Sequence, residues 1–315
     1  TELVIERMES LHDWQIQPNW LVWLPGMVCG FNIAIRAMGK EGDEVLSNIP
    51  VYPPFLMAPG NFGQNLAGVP MILEEARHTM DFDGLVSAIS PQSKTFLFCH
   101  PHNPVGTQFT RHELERFAEF CLRYDLGVCS DEIHCDLLLD PGAQHLPLAT
   151  ISPEIADKSI TLMAPSKTFN LPGFGCSFAI ISNPELRLRY KKACKGIVPD
   201  PPAMGFSLAE AAYRHGEPWR QRLLKYLRAN RDLALGRLAA IPDLLPFPLS
   251  ATYLLWIDAR DLAVENPQRF FEEAGVGLSD GADFGSPGFL RLNLGCARAL
   301  LEQALDRMER AVRNR

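Results

Sequence analysis

The chain of 315 residues is 47% hydrophobic and 21% charged, and its formal net charge is −7 at pH 7. This acidic balance argues against nucleic acid or an anionic membrane surface as the main partner, because both select for basic protein faces. No stretch approaches the roughly 20 consecutive apolar residues that a membrane-spanning helix requires.

Residues 1–14 have the apolar spacing of an amphipathic helix, and the chain begins with Thr1 rather than Met. The pattern of a secretory signal peptide does not occur at this end. We therefore expect that the natural protein begins upstream of Thr1.

The eight cysteines are scattered without a C-x-x-C pair, and most of them fall in apolar runs. Buried, unpaired thiols are typical of proteins in reducing compartments. The sequence therefore predicts free thiols and a cytoplasmic location.

Short apolar segments alternate with longer amphipathic segments as far as Pro201. The clearest helix is 111–124, where Thr110 and Glu113 have the spacing of a capping box. The alternation predicts an α/β fold in which helices cover both faces of a mostly parallel sheet. Six segments predict strands of this sheet: 44–49, 70–73, 95–99, 127–130, 159–163 and 177–182.

Beyond Pro201 the pattern becomes that of a compact α+β unit. Segments 203–213 and 218–240 predict helices, and the basic residues of the second indicate a solvated face or a bridge between domains. We expect a large α/β domain at 1–212 and a smaller α+β domain at 213–315. The remaining predicted elements are strands at 251–258 and 288–295 and helices at 267–274 and 297–313.

Gly26 separates an apolar segment from a helical pattern that begins at once, in "WLPGMVCGFNIAIRAM" (23–38). The first backbone amides of a helix lack intrahelical acceptors and carry the positive end of the helix dipole. The amides of Met27 and Val28 are therefore a candidate anion site.

"CHPHNPVGT" (99–107) follows an apolar strand and precedes the capped helix. Asn-Pro followed by Gly is typical of a turn, and open α/β sheets bind ligands at the carboxyl ends of their strands. Asn103 is thus a candidate binding residue. The alternative is that Asn103 only caps its own turn.

"VCSDEIHCDL" (128–137) leads from an apolar strand into several acidic residues. A carboxylate at the strand end, Asp131, can bind a cationic ring nitrogen and hold it protonated. The alternative is that Asp131 caps the next turn. A metal site of Asp131, Glu132 and His134 is disfavoured, because adjacent residues of a strand point to opposite faces.

"APSKTFNLPGFG" (164–175) places Lys167 directly after a predicted strand and before a turn rich in Gly and Pro. A lysine amine attacks a carbonyl only in its unprotonated form and when it is held in place. Lys167 is therefore a candidate covalent nucleophile. The alternative is a surface lysine in a loop.

Arg291 has apolar neighbours on the predicted strand "GFLRLNLG" (288–295). A guanidinium in such a setting requires an anionic partner, and its fork geometry suits a carboxylate. That partner is either the α-carboxylate of a substrate or an internal acid.

Asn103, Asp131 and Lys167, each at the end of a predicted strand, together resemble the class I/II aminotransferase superfamily, the fold-type I enzymes of pyridoxal phosphate (PLP). The resemblance is strongest to the cystathionine β-lyase, or C–S lyase, branch that includes the maltose-regulon modulator protein. It rests on "SDEIHCDL", "SKTFN", "GEPWRQRLLKYLRAN" and "GFLRLNLGC" and covers essentially the whole chain, lacking only the family's amino-terminal segment. It implies a mostly parallel, seven-stranded-type sheet, PLP as the cofactor, and a homodimer. The apolar segment 52–63 also predicts exposed hydrophobic surface for a dimer.

The resemblance implies a role for each candidate residue. Lys167 bonds covalently to PLP and later moves the Cα proton, Asp131 pairs with the pyridinium nitrogen, and Asn103 donates to the phenolic oxygen of the ring. Arg291 binds the substrate α-carboxylate, with Asn103 beside it. Tyr52, in "IPVYPPF", stacks on the ring, although a tyrosine that anchors a Pro-rich turn is the alternative.

The resemblance places the phosphate of PLP at Met27, Val28 and Ser166. Many relatives carry a phosphate-binding arginine eight residues after the lysine and a serine three residues before it, but this chain has Gly175 and Ala164 there. The phosphate must therefore depend on the Ser166 hydroxyl and on backbone amides, so we expect weaker binding of PLP.

His134 stands where many aminotransferases have a tyrosine, and the lyase branch has the same histidine at a cofactor-binding position. The resemblance therefore implies a β-lyase that cleaves cystathionine or related cysteine S-conjugates to a thiol, pyruvate and ammonia. The alternatives are an aminotransferase on the same scaffold and a regulatory binding protein with residual lyase activity.

Overall fold

The computed structural model describes all 315 residues of the chain. None of its helices combines the length and the apolar character that crossing a membrane requires. The strands are β1 (Leu21–Leu24), β2 (Glu44–Ile49), β3 (Asn65–Pro70), β4 (Ile72–Glu74), β5 (Arg77–Thr79), β6 (Ser93–Cys99), β7 (Gly127–Asp131), β8 (Ser159–Met163), β9 (Ser177–Ile180), β10 (Leu245–Pro246), β11 (Leu254–Asp258), β12 (Ser279–Asp280) and β13 (Phe289–Asn293). The helices are α1 (Glu2–His12), α2 (Met27–Met38), α3 (Pro53–Met57), α4 (Phe82–Ala88), α5 (Arg111–Arg123), α6 (Pro153–Asp157), α7 (Pro184–Cys194), α8 (Ala203–His215), α9 (Glu217–Leu238), α10 (Pro267–Glu273) and α11 (Arg298–Arg313).

The larger sheet has seven strands in the order β1-β9-β8-β7-β6-β2-β3. Neighbouring strands are parallel except at β9, which runs antiparallel to both β1 and β8. The predicted α/β fold with a mostly parallel sheet is confirmed.

Helices cover both faces of this sheet, and the alternation of side chains along β6 shows why. Phe96 and Phe98 are fully buried toward α5, where their rings pack on Phe117 at centroid distances of 4.7 and 4.4 Å. Leu97 points to the opposite face and joins the core beneath α2 and α7. A strand buried on both faces carries consecutive apolar residues, as β6 does from Phe96 to Cys99.

The prediction that 70–73 forms a strand of the large sheet is wrong. Pro70 ends β3, which pairs in parallel with β2 at the edge of the sheet, while β4 forms a separate hairpin with β5. Only Val69 of β3 is buried. An edge strand can therefore form from the sequence "NLAGVP", which has no sustained apolar run to reveal it.

The second sheet has four antiparallel strands in the order β10-β11-β13-β12. It packs with α9, α10 and α11 around a core that includes Leu227, Leu255 and Phe271. The predicted boundary between 1–212 and 213–315 falls inside α8, and the division into two domains stays a prediction.

The basic residues of α9 also reach the loop that follows β7. Arg220 Nη1 donates to the carbonyl oxygen of Asp136 at 3.0 Å, and Arg228 Nε donates to that of Leu139 at 2.6 Å. The helix therefore connects the core of the second sheet to a loop of the large sheet, and its role as a bridge between domains stays a prediction.

The prediction of an exposed hydrophobic surface at 52–63 is mostly wrong. Phe55 and Ala58 are fully buried, because α3 turns them into the core beside α2. Met57 is the exposed apolar side chain of this segment, at 67% exposure.

Candidate active site

Three adjacent parallel strands, β6, β7 and β8, end at the same edge of the large sheet. Cys99 of β6 lies beside Asp131 of β7, which lies beside Leu162 of β8. Asn103 and Lys167 follow β6 and β8 within a few residues. The topology therefore brings the three strand-end residues to one place, as their positions in the sequence predict.

A cavity of about 330 Å³ opens at this edge. Tyr253 and Asn293, which the sequence did not single out, also line it. Asn293 could have been found from its position two residues after Arg291 on one strand, since such residues share a face. All the residues predicted for the site line this cavity: Met27, Val28, Tyr52, Asn103, Asp131, His134, Ser166, Lys167 and Arg291.

Asp131 is a buried carboxylate, 4% exposed, and no lysine, arginine or histidine forms a salt bridge with it. Burial raises its pKa to about 7, and the nearby Lys167 opposes this shift only in part. Oδ1 accepts a hydrogen bond from the backbone N–H of Ile133 at 3.1 Å, so Asp131 also makes the turn contact considered as its alternative role. A cation placed against the carboxylate would restore its charged form.

Glu132 lies on the other side of β7, away from the cavity. Its carboxylate accepts hydrogen bonds from the Ser130 hydroxyl at 2.7 Å and the Leu148 amide at 3.1 Å, and it lies 2.6 Å from Nε2 of His145. Asp131 and Glu132 therefore point to opposite faces of the strand, which was the reason for disfavouring a metal site here.

His134 lines the cavity as a neutral imidazole. It is 4% exposed, and burial together with the positive charges of Lys167 and Arg291 lowers its pKa to about 3. Its Nδ1 has no hydrogen-bond partner in the protein. His134 therefore adds a polar group beside Lys167 and Arg291 without adding a further positive charge.

Arg291 projects from β13 into the cavity without an acidic partner. Nη1 donates to Asn103 Oδ1 at 2.9 Å and Nη2 donates to the Ser279 hydroxyl at 3.2 Å, while the guanidinium lies 4.5 Å from the centroid of the Phe284 ring. No Asp or Glu lies within salt-bridge distance of it, so the internal acid considered as an alternative is not there. Burial lowers the pKa of this guanidinium.

Beside Gly26 the cavity is lined largely by the main chain at the start of α2. Gly26 precedes α2, and a Cβ added at Gly26 would meet no atom within 4 Å, so open space adjoins the first amides of the helix. Ser166 and Gly175, which has a φ of +60°, also line the cavity. Lys167 and Arg291 are the lysine and arginine side chains in the lining, and the main-chain N–H groups and the Ser166 hydroxyl are further donors for an anion bound beside Gly26.

Tyr52 stands at the start of α3 and is half-buried, with its ring 6.5 Å from that of Phe55 in an edge-to-face arrangement. Burial and the nearby Asp131 raise its pKa, so the phenol is neutral. Its position on the wall agrees with either predicted role, a ring that stacks on a ligand or an anchor of the Pro-rich turn.

The model of the family "Aminotransferase class I and II" matches residues 2–308. The cystathionine beta-lyase PatB of Bacillus subtilis (strain 168) is 34% identical over 313 residues, which cover 97% of this chain and 81% of the relative. The crystal structure of OvoB is 49% identical with a TM-score of 0.97, over 99% of this chain and 82% of that one. Cystalysin from Treponema denticola, whose crystal structure contains PLP, is 32% identical with a TM-score of 0.95, over 99% and 81% of the two chains.

The family match extends over almost the whole chain and includes every residue that lines the cavity. The folds agree over the same length, with a PLP-binding protein among them. The chain belongs to the class I and II aminotransferase family.

Proposed function

We propose that the chain is a PLP-dependent carbon–sulfur β-lyase, which cleaves cystathionine or a related S-substituted cysteine to a thiol, pyruvate and ammonia. The relatives support this assignment, because they include a named cystathionine beta-lyase and the PLP-containing cystalysin. The cavity independently supports PLP as the cofactor and an amino acid as the substrate, through the charges and donors that its residues place together.

The cavity residues fit PLP. The open space beside Gly26 and the first amides of α2, together with the Ser166 hydroxyl, can hold a phosphate. The amine of Lys167 is available for a covalent bond, and the buried carboxylate of Asp131 is suited to a cationic ring nitrogen. Tyr52 offers an aromatic face on the wall of the cavity.

Each residue then has a defined task. When bound, PLP supplies an electron sink at the substrate Cα. Arg291 and Asn103 bind the α-carboxylate and so orient the Cα–H bond. Asp131 keeps the ring nitrogen protonated, because an adjacent carboxylate favours the cationic form. Lys167 removes the Cα proton and thereby allows the thiol to leave from the β-carbon.

Arg291 is the observation that carries this proposal. A half-buried guanidinium that has neutral hydrogen-bond partners and no acid beside it lacks the counter-charge that buried arginines require. The α-carboxylate of an amino acid would supply that charge. Its two oxygens match the two nitrogens of the guanidinium in a bidentate contact.

Arg291→Lys is expected to weaken every amino-acid substrate alike, since a point-like ammonium cannot reproduce a two-pronged contact. One charge-assisted hydrogen bond is worth roughly 1.5–3 kcal/mol, so kcat/KM should fall about ten- to hundredfold. PLP content should remain at the wild-type level, because Arg291 is assigned to the substrate. Steady-state kinetics with several S-substituted cysteines and a spectroscopic PLP assay measure both quantities.

Arg260→Lys is the matched control for this variant. Arg260 belongs to the same antiparallel unit but is exposed and pairs with Asp258 at 2.6 Å, so its replacement should leave kcat/KM unchanged. Equal losses in the two variants, or loss of PLP from Arg291→Lys, would contradict the assignment of Arg291 to the substrate carboxylate.

We also propose that the protein acts as a homodimer. Large apolar side chains stand exposed on α2, α3 and α8: Val28 at 43%, Met57 at 67% and Met204 at 61%. Val28 also lines the cavity, so a partner that covers Val28 would reach the site. Sedimentation velocity should give twice the mass of one chain, and a fully active monomer would refute the proposal.

We also propose a cytoplasmic location for the protein. We further propose that it divides into a PLP-binding unit at 1–212 and a smaller unit at 213–315. The scattered cysteines support the first. The two separate sheets support the second.

A further inference from the structure

The turn that carries Lys167 rests on a buried polar cluster on the side away from the cavity. The cluster consists of Asp136, Thr168 and Arg7, which come from the loop after β7, from the turn itself and from α1. Asp136 is 5% exposed and Thr168 is fully buried. Neither residue lines the cavity, so no role in touching substrate or cofactor accounts for them.

Both oxygens of the Asp136 carboxylate are occupied. Oδ1 accepts a hydrogen bond from Arg7, and Oδ2 accepts one from the Thr168 hydroxyl at 3.5 Å. The main-chain oxygen of Asp136 also accepts a hydrogen bond from Arg220 of α9 at 3.0 Å. Asp136 is therefore held from α1 and α9 while its second carboxylate oxygen reaches the turn.

The Thr168 hydroxyl has Asp136 as its sole hydrogen-bond partner in the structure. Thr168 is bonded through one peptide group to Lys167, and the turn is otherwise tied by main-chain bonds from Phe169 to Pro165 and from Leu171 to Ser166, both 2.9 Å. Because Thr168 is fully buried and its hydroxyl faces Asp136, its side chain limits rotation of the main chain at Lys167.

The surroundings of Arg7 keep the cluster rigid. Its guanidinium lies 4.8 Å from the centroid of the Tyr213 ring on α8, and its side chain is 11% exposed. An arginine so placed has few alternative rotamers, and its charge is compensated by Asp136. The Lys167 turn thus rests on α1 and α8 as well as on its own strand.

We propose that Asp136 is a positioning residue for Lys167: it acts through the Thr168 hydroxyl, and Arg7 holds its carboxylate in place. The proposal rests on the proposed function, in which Lys167 moves the Cα proton. Proton transfer at Cα requires the amine within hydrogen-bond reach of a fixed atom, and displacements of about 1 Å cost large factors in rate. A group that fixes the neighbouring residue therefore affects turnover without touching the substrate.

Thr168→Val tests the proposal most directly, because valine keeps the shape of threonine and lacks the hydroxyl. We expect kcat to fall about tenfold or more with KM within about twofold of the wild type. Visible circular dichroism of the bound PLP should change in amplitude, since it reports the orientation of the cofactor in the protein. Thr168→Ser, which retains the hydroxyl, should recover most of both properties.

Asp136→Asn and Asp140→Asn form the second comparison. Asp140 lies in the same loop and pairs with Arg231 of α9 at 2.8 Å, but it is exposed and makes no hydrogen bond to the Lys167 turn. Asp136→Asn should reproduce the effects of Thr168→Val on kcat and on the visible spectrum. Asp140→Asn should behave as the wild type.

Two results would overturn the proposal. One is a Thr168→Val protein with kcat within twofold of the wild type and an unchanged visible spectrum. The other is the same loss in Asp140→Asn as in Asp136→Asn, which would indicate a general effect of the loop. A failure of the proposed function is distinguishable, because then the wild type itself would lack lyase turnover or borohydride would fix PLP to a lysine other than Lys167.

Discussion

Lys167→Ala is expected to reduce lyase turnover at least about a thousandfold, because this one side chain supplies both the covalent attachment of PLP and the base at Cα. General acid–base catalysis alone contributes roughly 10²–10⁴-fold, and loss of the covalent attachment adds to that. The position of Lys167 supports the assignment, since it lines the cavity directly after β8, together with Asp131 and Arg291. Steady-state kinetics of the PLP-loaded variant measure the loss.

Borohydride reduction of the wild type tests the same residue without a mutation. Peptide mapping should find the pyridoxyl group on Lys167. Lys191→Ala, a change at an exposed lysine of α7, is the control and should leave both turnover and labelling unchanged. A label on Lys191, Lys192 or Lys195 would show that the covalent lysine lies elsewhere.

Asp131→Asn is expected to retain PLP and to lose roughly ten- to thousandfold in kcat. A carboxylate next to a cationic group shifts the pKa of that group by about one to three units in favour of the charged form. A neutral amide lacks this effect and cannot hold the ring nitrogen protonated. The visible absorption of bound PLP and kcat should be followed on the same samples. An unchanged kcat would show that Asp131 serves only its contact with the amide of Ile133.

The same substitution should stabilise the protein when PLP has been removed. Burial raises the pKa of Asp131 to about 7, whereas an aspartate in the unfolded chain has a pKa of about 3.9. A raised carboxyl pKa stabilises the folded state below about pH 4, and this contribution is lost as the pH rises to about 7. Asp131→Asn removes the cost of the buried charge, so Tm of the PLP-free variant should exceed that of the wild type by more at pH 8 than at pH 5.5. A lower Tm for the variant at pH 8 would contradict this account of Asp131.

Much of the large sheet could be predicted from the sequence because its central strands are buried on both faces. The segments 44–49 and 159–163 match β2 and β8, and the capping box of Thr110 and Glu113 forms at the start of α5 as predicted. The bounds of these elements are set by local patterns of apolar and capping residues, which a single sequence displays.

The features that the sequence did not reveal depend on pairing between distant segments. Tyr253 reaches the cavity because β11 pairs with β13, so that Leu254 lies opposite Asn293. Arg7 meets Asp136 across 129 residues of sequence. Neither contact follows from periodicity, since each depends on how the two sheets and α1 are assembled.

The order of Asn103, Asp131 and Lys167 could be predicted as a site because a parallel sheet places successive strand ends together. The geometry of Arg291 could not be predicted from the sequence. Its strand lies in the second sheet, and only the folded chain shows that its guanidinium meets Asn103 and has no acid beside it.

The release of pyruvate without a keto acid tests the proposed lyase most directly. The purified protein, loaded with PLP, is incubated with cystathionine or an S-alkyl cysteine, and pyruvate, ammonia and free thiol are measured over time. β-Elimination needs no amino-group acceptor, so we expect the three products in equal amounts in the absence of any added keto acid. If product forms only when a keto acid is supplied, and pyruvate and thiol do not appear without it, the protein is an aminotransferase and the proposed lyase function is wrong.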